Sequence, residues 1–134
     1  MRKVLTVGVF DYFHYGHLML FKHAKELGDI LIVAVQEDNS ILKYKPNAHM
    51  LYSEEQRIEM ISSIKYVDQV ITYKDVDELI PTVQFDVFAR GEDQIHLGFQ
   101  KATEWCKTNN KEVYILKRTP NICSSEIKEK KSNK

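Results

Sequence analysis

Apolar and polar positions follow two different periods along this chain. Short apolar runs rich in β-branched residues are typical of buried parallel strands, and they cover residues 4–9, 30–35, 67–72, 85–89 and 113–116. The intervening segments predict five helices. The first ends near residue 28, and the others cover 53–64, 76–82, 95–108 and 124–131. This alternation predicts an α/β fold, namely a small doubly wound (Rossmann-like) parallel five-stranded sheet with helices on both faces.

Local signals mark two helix boundaries. Gly28 follows the last apolar position of the first helix and is typical of a C-terminal cap. Ser53 and Gln56 have the spacing of a capping box, which predicts that a helix begins there and continues through Ile64. The polar stretch 36–52 interrupts the periodic pattern, so we expect a long loop over these residues.

Length and composition limit the class of protein. The 134 residues are enough for one domain with a buried core, so we expect a single domain over residues 1–134. A hydrophobic fraction of 43% and a charged fraction of 28% exclude a disordered chain or a collagen-like fibre. Lys+Arg and Asp+Glu are 19 each, which argues against a general nucleic-acid binder. Any phosphate site must therefore use locally placed positive charge.

Cysteine use and hydropathy bear on the compartment. Cys106 and Cys123 form neither a metal motif nor a disulfide framework, so we expect two free thiols in a reducing environment. The start of the chain opens directly into a strand and shows no secretory pattern. No apolar stretch approaches the roughly 18 residues of a transmembrane helix. We therefore expect a cytoplasmic protein without membrane insertion.

The predicted topology places a ligand site at one edge of the sheet. In doubly wound sheets, ligands bind beyond the carboxyl ends of the strands. The segments after Val9, Val35, Ala89 and Leu116 should therefore converge on one crevice.

The first of these segments contains two histidines at the start of a predicted helix. His14 and His17 are three residues apart and face the same side of a helical turn, with Gly16 allowing close approach of a ligand. A helix N-terminus offers N–H groups and partial positive charge, which favours a phosphate site. Two alternatives remain open: the histidines could bind zinc, or they could be satisfied structural residues.

Several ordered motifs resemble one known family. Residues 8–17 read GVFDYFHYGH, which resembles the signature of the HxGH nucleotidyltransferase superfamily and, more narrowly, of its cytidylyltransferases. Residues 65–68 (KYVD), 91–93 (GED) and 118–125 (RTPNICSS) resemble later motifs of that family, and Arg57 matches its helix-borne arginine. The departures from the family pattern are Lys65, Glu92, Asn121 and Cys123.

This resemblance implies an enzyme that joins CTP to a small phosphomonoester. The acceptor phosphate would attack the α-phosphorus in line, giving a CDP-alcohol and pyrophosphate. Glycerol 3-phosphate is the favoured acceptor, with CDP-glycerol used in cell-surface polymer synthesis. The resemblance also implies Mg²⁺ on the triphosphate without confident protein ligands, and a homodimer through residues 65–68.

The resemblance also assigns roles to individual residues. The catalytic set it implies is His14, His17, Lys43, Lys45 and Arg118, with neither lysine favoured over the other. The nucleotide-binding set it implies is Gly8, Val9, Phe10, Asp11, Gly16, Arg57, Gly91, Glu92, Asp93, Arg118, Thr119, Ile122, Cys123, Ser124 and Ser125. Asp11 could orient a histidine, help to place the metal, or simply form a turn or cap.

Other functions remain open at this point. One is adenylyl transfer to a flavin or pantetheine-type acceptor within the same superfamily. Another is cytidylyl transfer to phosphocholine, phosphoethanolamine or another polyol phosphate. A third is a nucleotide-binding regulator without catalysis, which the presence of both histidines and Arg118 disfavours.

Overall fold

The computed structural model describes residues 1–47 and 49–117, which form a five-stranded parallel sheet with helices on both faces. The strands are β1 (Lys3–Gly8), β2 (Ile30–Gln36), β3 (Gln69–Tyr73), β4 (Val87–Gly91) and β5 (Glu112–Leu116). The helices are α1 (Tyr15–Glu26), α2 (Asp38–Tyr44), α3 (Glu54–Ser62), α4 (Val76–Leu79), which continues as a 3-10 turn over Ile80–Thr82, and α5 (Leu97–Thr108). The predicted doubly wound α/β fold is confirmed.

The strand order is β3-β2-β1-β4-β5. The chain therefore runs outward from β1 through β2 and β3, then returns to the other side of β1 for β4 and β5. This reversal makes the space between β1 and β4 the switch point at which doubly wound folds bind ligands. β1 and β4 pair only at Val4–Val87 and Leu5–Phe88, whereas β1 and β2 pair from Lys3–Ile30 through Gly8–Val35.

Apolar side chains of the central strands divide between two cores. On one face, Leu5 and Val7 of β1 pack with Phe99 and Ala102 of α5. On the other face, Val4 packs in a cluster that includes Phe21, Ala24, Val33 and Ile61, which come from α1, β2 and α3. Burial on both faces explains why these strands read as continuous apolar runs.

The prediction of a long loop over 36–52 is wrong in its first half, where the chain forms α2. The Glu37 N–H donates to the Tyr73 carbonyl, and the chain then turns helical at Asp38. This helix has seven residues, and Ile41 is a buried apolar side chain within it. A helix this short falls below the window of about 11–18 residues in which a 3.6-residue pattern can be detected.

The predicted helix ends differ in detail from the structure. α1 ends at Glu26, and Gly28 does not have the positive φ of a left-handed cap. Glycine is needed at this position because the backbone of Arg2 passes close to it. A Cβ on Gly28 would lie 2.7 Å from the Arg2 carbonyl oxygen. The capping box of α3 is present, with Ser53 and Gln56 each bonding the other's backbone N–H, but the helix ends at Ser62.

The remaining sequence expectations concern hydropathy, the cysteines and the tail. None of the helices within 1–47 and 49–117 has the length and apolar character needed to cross a bilayer. Cys106 is a buried free thiol, and burial raises its pKa to about 11. Cys123 and the predicted tail helix over 124–131 lie outside the described residues.

Candidate active site

Hydrogen bonds join the carboxyl ends of neighbouring strands at one edge of the sheet. Arg57 donates through one nitrogen to the carbonyls of Val9 (2.8 Å) and Gln36 (2.9 Å), which ties the end of β1 to the end of β2. The Glu92 N–H donates to the Leu116 carbonyl (3.1 Å), which ties β4 to β5. The carboxyl ends of these strands are therefore neighbours at this edge, while the predicted segment after Leu116 lies outside the described residues beyond Lys117.

The loop between β1 and α1 has an unusual backbone. Phe10 and Tyr12 both adopt the left-handed region, with φ of 58° and 51°. Such conformations are costly for residues with side chains and cluster at functional sites. Burial of the Phe10 ring offsets part of this cost, and Gly8 makes room for it, because a Cβ on Gly8 would lie 2.7 Å from the ring.

The two histidines cap α1 reciprocally. His14 is the N-cap residue, and its Nδ1 accepts from the Gly16 N–H at 3.0 Å. His17 lies one turn later, and its Nδ1 accepts from the His14 N–H at 3.3 Å. The two rings stack with their centroids 4.0 Å apart. This is a capping box in which imidazoles replace the usual hydroxyl and carboxylate.

This arrangement selects one tautomer for both rings. A neutral imidazole whose Nδ1 accepts a hydrogen bond carries its proton on Nε2. Burial, with a smaller contribution from the neighbouring His14, lowers the pKa of His17 to about 4. His17 is therefore neutral at physiological pH and presents an Nε2–H donor. Phe10 packs edge-on to this ring and Phe13 stacks on it, which fixes its orientation.

Three backbone amides at this helix start are already engaged. The Gly16 N–H bonds to His14 Nδ1, and the N–H groups of His17 and Leu18 bond to the His14 carbonyl. The expectation that amides at the start of α1 bind phosphate is therefore wrong for these three groups. The imidazole N–H groups are the donors that this helix start offers instead.

Asp11 holds a neighbouring loop. One carboxylate oxygen accepts from the Leu51 N–H (2.9 Å) and the other from the Tyr52 N–H (3.0 Å). The carboxylate therefore joins the histidine loop to the segment that leads into α3. These two bonds give Asp11 a loop-fixing role, and the predicted histidine-orienting and metal-placing roles stay predictions.

Arg57 is buried completely rather than lining the crevice. Besides the Val9 and Gln36 carbonyls, its guanidinium binds the carboxylate of Asp38 at the start of α2. Direct contact with a nucleotide, as the family resemblance implies, is incompatible with this burial. Arg57 instead positions the ends of β1 and β2 and the beginning of α2.

Lys43 and Lys45 lie on the last turn of α2 and just after it. Both side chains are exposed, and Lys43 Nζ lies 4.0 Å from a carboxylate oxygen of Asp75. A depression near Lys43 is lined by Glu37, Asp75 and Glu78 together with Lys74, so it carries net negative charge. That charge disfavours a triphosphate there, so the lysines would have to reach toward the histidines instead.

The turn after β4 carries the predicted nucleotide-binding residues Gly91, Glu92 and Asp93. Glu92 and Asp93 are exposed at the crevice edge of the sheet. Gln94, which sequence analysis did not single out, accepts from the Gly91 N–H (2.9 Å) and donates to the Val7 carbonyl (2.8 Å). A glutamine in a polar loop carries no pattern that would have distinguished it.

Part of the predicted site lies outside the described residues. These positions are Arg118, Thr119, Ile122, Cys123, Ser124 and Ser125. Of the remaining predicted residues, the structure brings Gly8, Val9, Phe10, Asp11, His14, Gly16, His17, Gly91, Glu92 and Asp93 to one edge of the sheet.

The described part of the site can stabilise charge without covalent chemistry. Two imidazoles lie side by side, each accepting through Nδ1 and so presenting Nε2–H, on a loop held by Asp11 and Arg57. Preorganised N–H donors of this kind stabilise negative charge that develops in a transition state. The arrangement suits transfer of a phosphoryl-type group.

Comparisons with known proteins agree with this chemistry. A family model described as cytidylyltransferase-like matches residues 5–130. The glycerol-3-phosphate cytidylyltransferase of Bacillus subtilis is 36% identical over 96% of this chain and 96% of that protein. The enzyme of the same name from Staphylococcus aureus is 38% identical over 96% of this chain and 94% of its own.

A solved structure also matches the fold. It is the lipopolysaccharide core biosynthesis protein of Thermoplasma volcanium, with a TM-score of 0.71 and 28% identity. The match covers 89% of this chain and 97% of that one. The likeness therefore extends over nearly the whole of both folds.

Proposed function

Because this chain belongs to the cytidylyltransferase-like family, we propose that it joins CTP to glycerol 3-phosphate, giving CDP-glycerol and pyrophosphate. The observation that carries the proposal is the near full-length similarity to two glycerol-3-phosphate cytidylyltransferases. The reciprocal histidine pair at the start of α1 supports it independently. CTP is a cytoplasmic metabolite, so the reaction belongs in that compartment.

The reaction needs positioning more than proton transfer. A phosphate oxygen of glycerol 3-phosphate attacks the α-phosphorus of CTP and forms a new P–O bond. The bond from that phosphorus to the β-phosphate oxygen breaks, and pyrophosphate leaves with the electron pair. The attacking phosphate monoester is already ionised at neutral pH, so no general base is required. Alignment and stabilisation of charge supply the rate.

His14 and His17 are the groups that act on the reacting phosphate in this proposal. Their Nε2–H donors bind oxygens of the α-phosphoryl group and the leaving pyrophosphate as charge builds there. Lys43 or Lys45, on the last turn of α2 and just after it, holds the β- and γ-phosphates together with Arg118.

The turn after β4 takes the nucleoside in this proposal. Cytosine presents an amino donor where uracil presents a carbonyl acceptor. A site built to accept from that amine leaves an acceptor unpaired, or facing another acceptor, when UTP binds. Glu92 extends one methylene further than the aspartate of the family pattern, and Cys123 replaces a serine. These two departures are the ones most able to alter this choice.

Mg²⁺ fits this site as a companion of the triphosphate. Among residues 1–47 and 49–117, no cluster of three or more His, Cys, Asp or Glu side chains is arranged to hold a metal ion. The carboxylates of Asp11 and Asp38 already accept N–H groups. Mg²⁺ usually keeps several waters and binds through substrate phosphates and one or two carboxylates, so the nucleotide would supply most of its ligands other than water. When bound, the ion neutralises charge on the leaving pyrophosphate.

We also propose that the enzyme is a homodimer through residues 65–68. Lys65 is exposed there, with its Nζ 5.2 Å from the Tyr66 ring centre. Asp68 is already used within the chain, because its carboxylate pairs with Lys25 and accepts from the Leu31 N–H. Tyr66 and Val67 pack against the core, so Lys65 is the side chain of this motif that is left to face a partner.

Pyrophosphate release tests the activity. The four NTPs are each assayed against glycerol 3-phosphate, phosphocholine, phosphoethanolamine and another polyol phosphate. We expect kcat/KM for CTP to exceed that for UTP and ATP by at least about 10²-fold, because the wrong base would leave a buried hydrogen-bonding group unpaired. We expect a shallower preference for glycerol 3-phosphate among the polyol phosphates.

The same panel contains the outcomes that contradict the proposal. Equal turnover of ATP and CTP would assign the protein to adenylyl transfer. A preference for phosphocholine or phosphoethanolamine would replace the acceptor but keep the cytidylyl chemistry. The His17→Asn variant, assayed in parallel, excludes a contaminating activity.

A further inference from the structure

The two strands that flank the switch point separate before they end. β1 and β4 pair at Val4–Val87 and Leu5–Phe88, and pairing then stops although both strands continue to glycines, Gly8 and Gly91. The gap opens at the crevice, between the loop that carries the histidines and the turn over 91–93.

The side chain of Gln94 fills this gap. Its Nε2 donates to the Val7 carbonyl at 2.8 Å, and its Oε1 accepts from the Gly91 N–H at 2.9 Å. A carboxamide has the donor and acceptor of a peptide group, so Gln94 replaces the ladder bonds that the separated strands lack. The two backbone groups also select the orientation of the amide, since one requires a donor and the other an acceptor.

Other contacts fix the same turn from its remaining sides. The Glu92 N–H bonds to the Leu116 carbonyl of β5. Arg90 donates to the carbonyls of Gly91 (3.2 Å) and Gln94 (3.0 Å). The turn is therefore held to its own strand and to β5 by other groups, whereas Gln94 bonds it to β1.

We propose that Gln94 is a positioning residue that sets the separation between the histidine loop after β1 and the nucleotide-binding turn over 91–93. The inference rests on the proposed function, in which His14 and His17 act on the α-phosphoryl group and the turn holds the nucleoside. The carboxamide of Gln94 then sets where the nucleoside lies relative to those donors. It acts through the backbone of Val7 and Gly91 and does not touch substrate.

Two substitutions remove the bridge in different ways. Gln94→Met keeps the length of the side chain and removes both hydrogen bonds. Gln94→Glu keeps the acceptor for the Gly91 N–H but brings a carboxylate oxygen against the Val7 carbonyl. Gln84→Met is the matched control, because Gln84 is an exposed glutamine in the loop before β4.

We expect both Gln94 variants to lose at least about tenfold in kcat/KM for CTP, because small misplacement of reacting groups is costly. The KM for CTP should rise as kcat falls. A merely destabilising substitution would reduce the amount of active enzyme and leave KM unchanged. The Gln84→Met control should match wild type, and each variant is assayed well below its unfolding midpoint.

Amide exchange of Gly91 gives a readout that does not depend on turnover. Its N–H should exchange slowly in wild type and in Gln84→Met, and faster in Gln94→Met. Wild-type kcat/KM and KM in both Gln94 variants, or unchanged exchange at Gly91, would overturn the inference. If wild type neither binds nor turns over CTP, the proposed function fails, and Gly91 exchange alone decides whether Gln94 holds the turn to β1.

Discussion

At the scale of the residue, each histidine uses its two ring nitrogens for different purposes. Nδ1 caps the helix, and this bond places the proton on Nε2. The Nε2–H group can then donate a hydrogen bond to a phosphoryl oxygen. The structural and the phosphate-binding interpretations of His14 and His17 are therefore compatible. Removing an imidazole should affect both stability and turnover, and suitable substitutions can separate the two effects.

The first prediction separates these effects at His17. Asparagine places its side-chain oxygen near the position of Nδ1 and can keep the bond to the His14 N–H, but it has no group at Nε2. We expect His17→Asn to lose at least about 10²-fold in kcat, the scale for one transition-state donor. His17→Ala should lose this and also about 1 kcal/mol of stability, because the cap is gone.

Thermal unfolding and pyrophosphate release together test this prediction. Near-normal turnover in His17→Asn would contradict the proposed role of Nε2. An unfolding midpoint as low in the Asn variant as in the Ala variant would contradict the capping role of Nδ1.

The second prediction concerns stability against pH. The folded-state pKa of His17 is about 4, below its ordinary value of 6.5, so the unfolded chain binds more protons between these values. The free energy of unfolding contributed by His17 should therefore be fully present above about pH 6.5 and be lost as pH falls toward 4. Denaturant titrations at several pH values measure it.

Matched variants identify the source of that pH dependence. His17→Asn should remove the His17 contribution, so the pH profile becomes flatter between 4 and 6.5. His23→Asn is the control, because it removes an exposed imidazole from the same helix while leaving His17 in place. Equal slopes in wild type and His17→Asn would show that His17 is not the group responsible.

At the scale of the element, α2 and α3 cap each other. The Asp38 N–H donates to the Glu54 carboxylate (2.9 Å), and the Glu54 N–H donates to the Asp38 carboxylate (3.0 Å). Arg57 of α3 also pairs with Asp38. Each helix thus begins with an acceptor supplied by the other, and the helix that leads to both lysines depends on this pairing.

The third prediction tests that pairing through Glu54. Glu54→Ala removes the acceptor for the Asp38 N–H and should cost about 1 kcal/mol of stability, as a lost helix cap does. A less firmly placed α2 should also raise the KM for CTP, since Lys43 and Lys45 lie at its far end. Chemical unfolding and steady-state kinetics measure the two effects.

Glu55→Ala is the matched control, since Glu55 is the neighbouring exposed glutamate in the same helical turn. It should leave both the stability and the KM close to wild type. Equal effects of the two substitutions would mean that negative charge near the start of α3, rather than the bond to Asp38, is what matters.

At the scale of the whole molecule, zero net charge coexists with a proposed polyanionic substrate. Affinity for the triphosphate must then come from local donors at one edge of the sheet rather than from a general field. Such a site depends on accurate placement, and hydrogen bonds made by Arg57, Gln94 and the Glu92 N–H join the strand ends at this edge.

The fourth prediction is the homodimer. Light scattering at micromolar concentration should give about 31 kDa, twice the 15.7 kDa chain, as expected for a two-fold assembly. Lys65→Glu should weaken the dimer, because it places the opposite charge at the proposed interface, whereas Lys101→Glu on the exposed face of α5 should not. A mass near that of one chain in the wild type would contradict the proposal.

The sequence by itself determined the fold class and the part of the site that lies at the start of α1. Buried parallel strands produce continuous apolar runs, and amphipathic helices such as α5 produce a 3.6-residue pattern, so both can be detected locally. The histidine pair could be found because both residues lie within one turn of the same helix. The capping box at Ser53 and Gln56 was predictable for the same reason.

Tertiary structure alone decided which side chains bond to the backbone groups around the site. The acceptor for the start of α2 is Glu54, sixteen residues away, and the donor for the Val7 carbonyl is Gln94, eighty-seven residues away. Burial of Arg57, which turns a predicted ligand contact into a positioning residue, likewise depends on elements that meet only after folding. Local sequence patterns record periodicity and capping within one element, whereas these bonds join elements that are adjacent in space and distant along the chain.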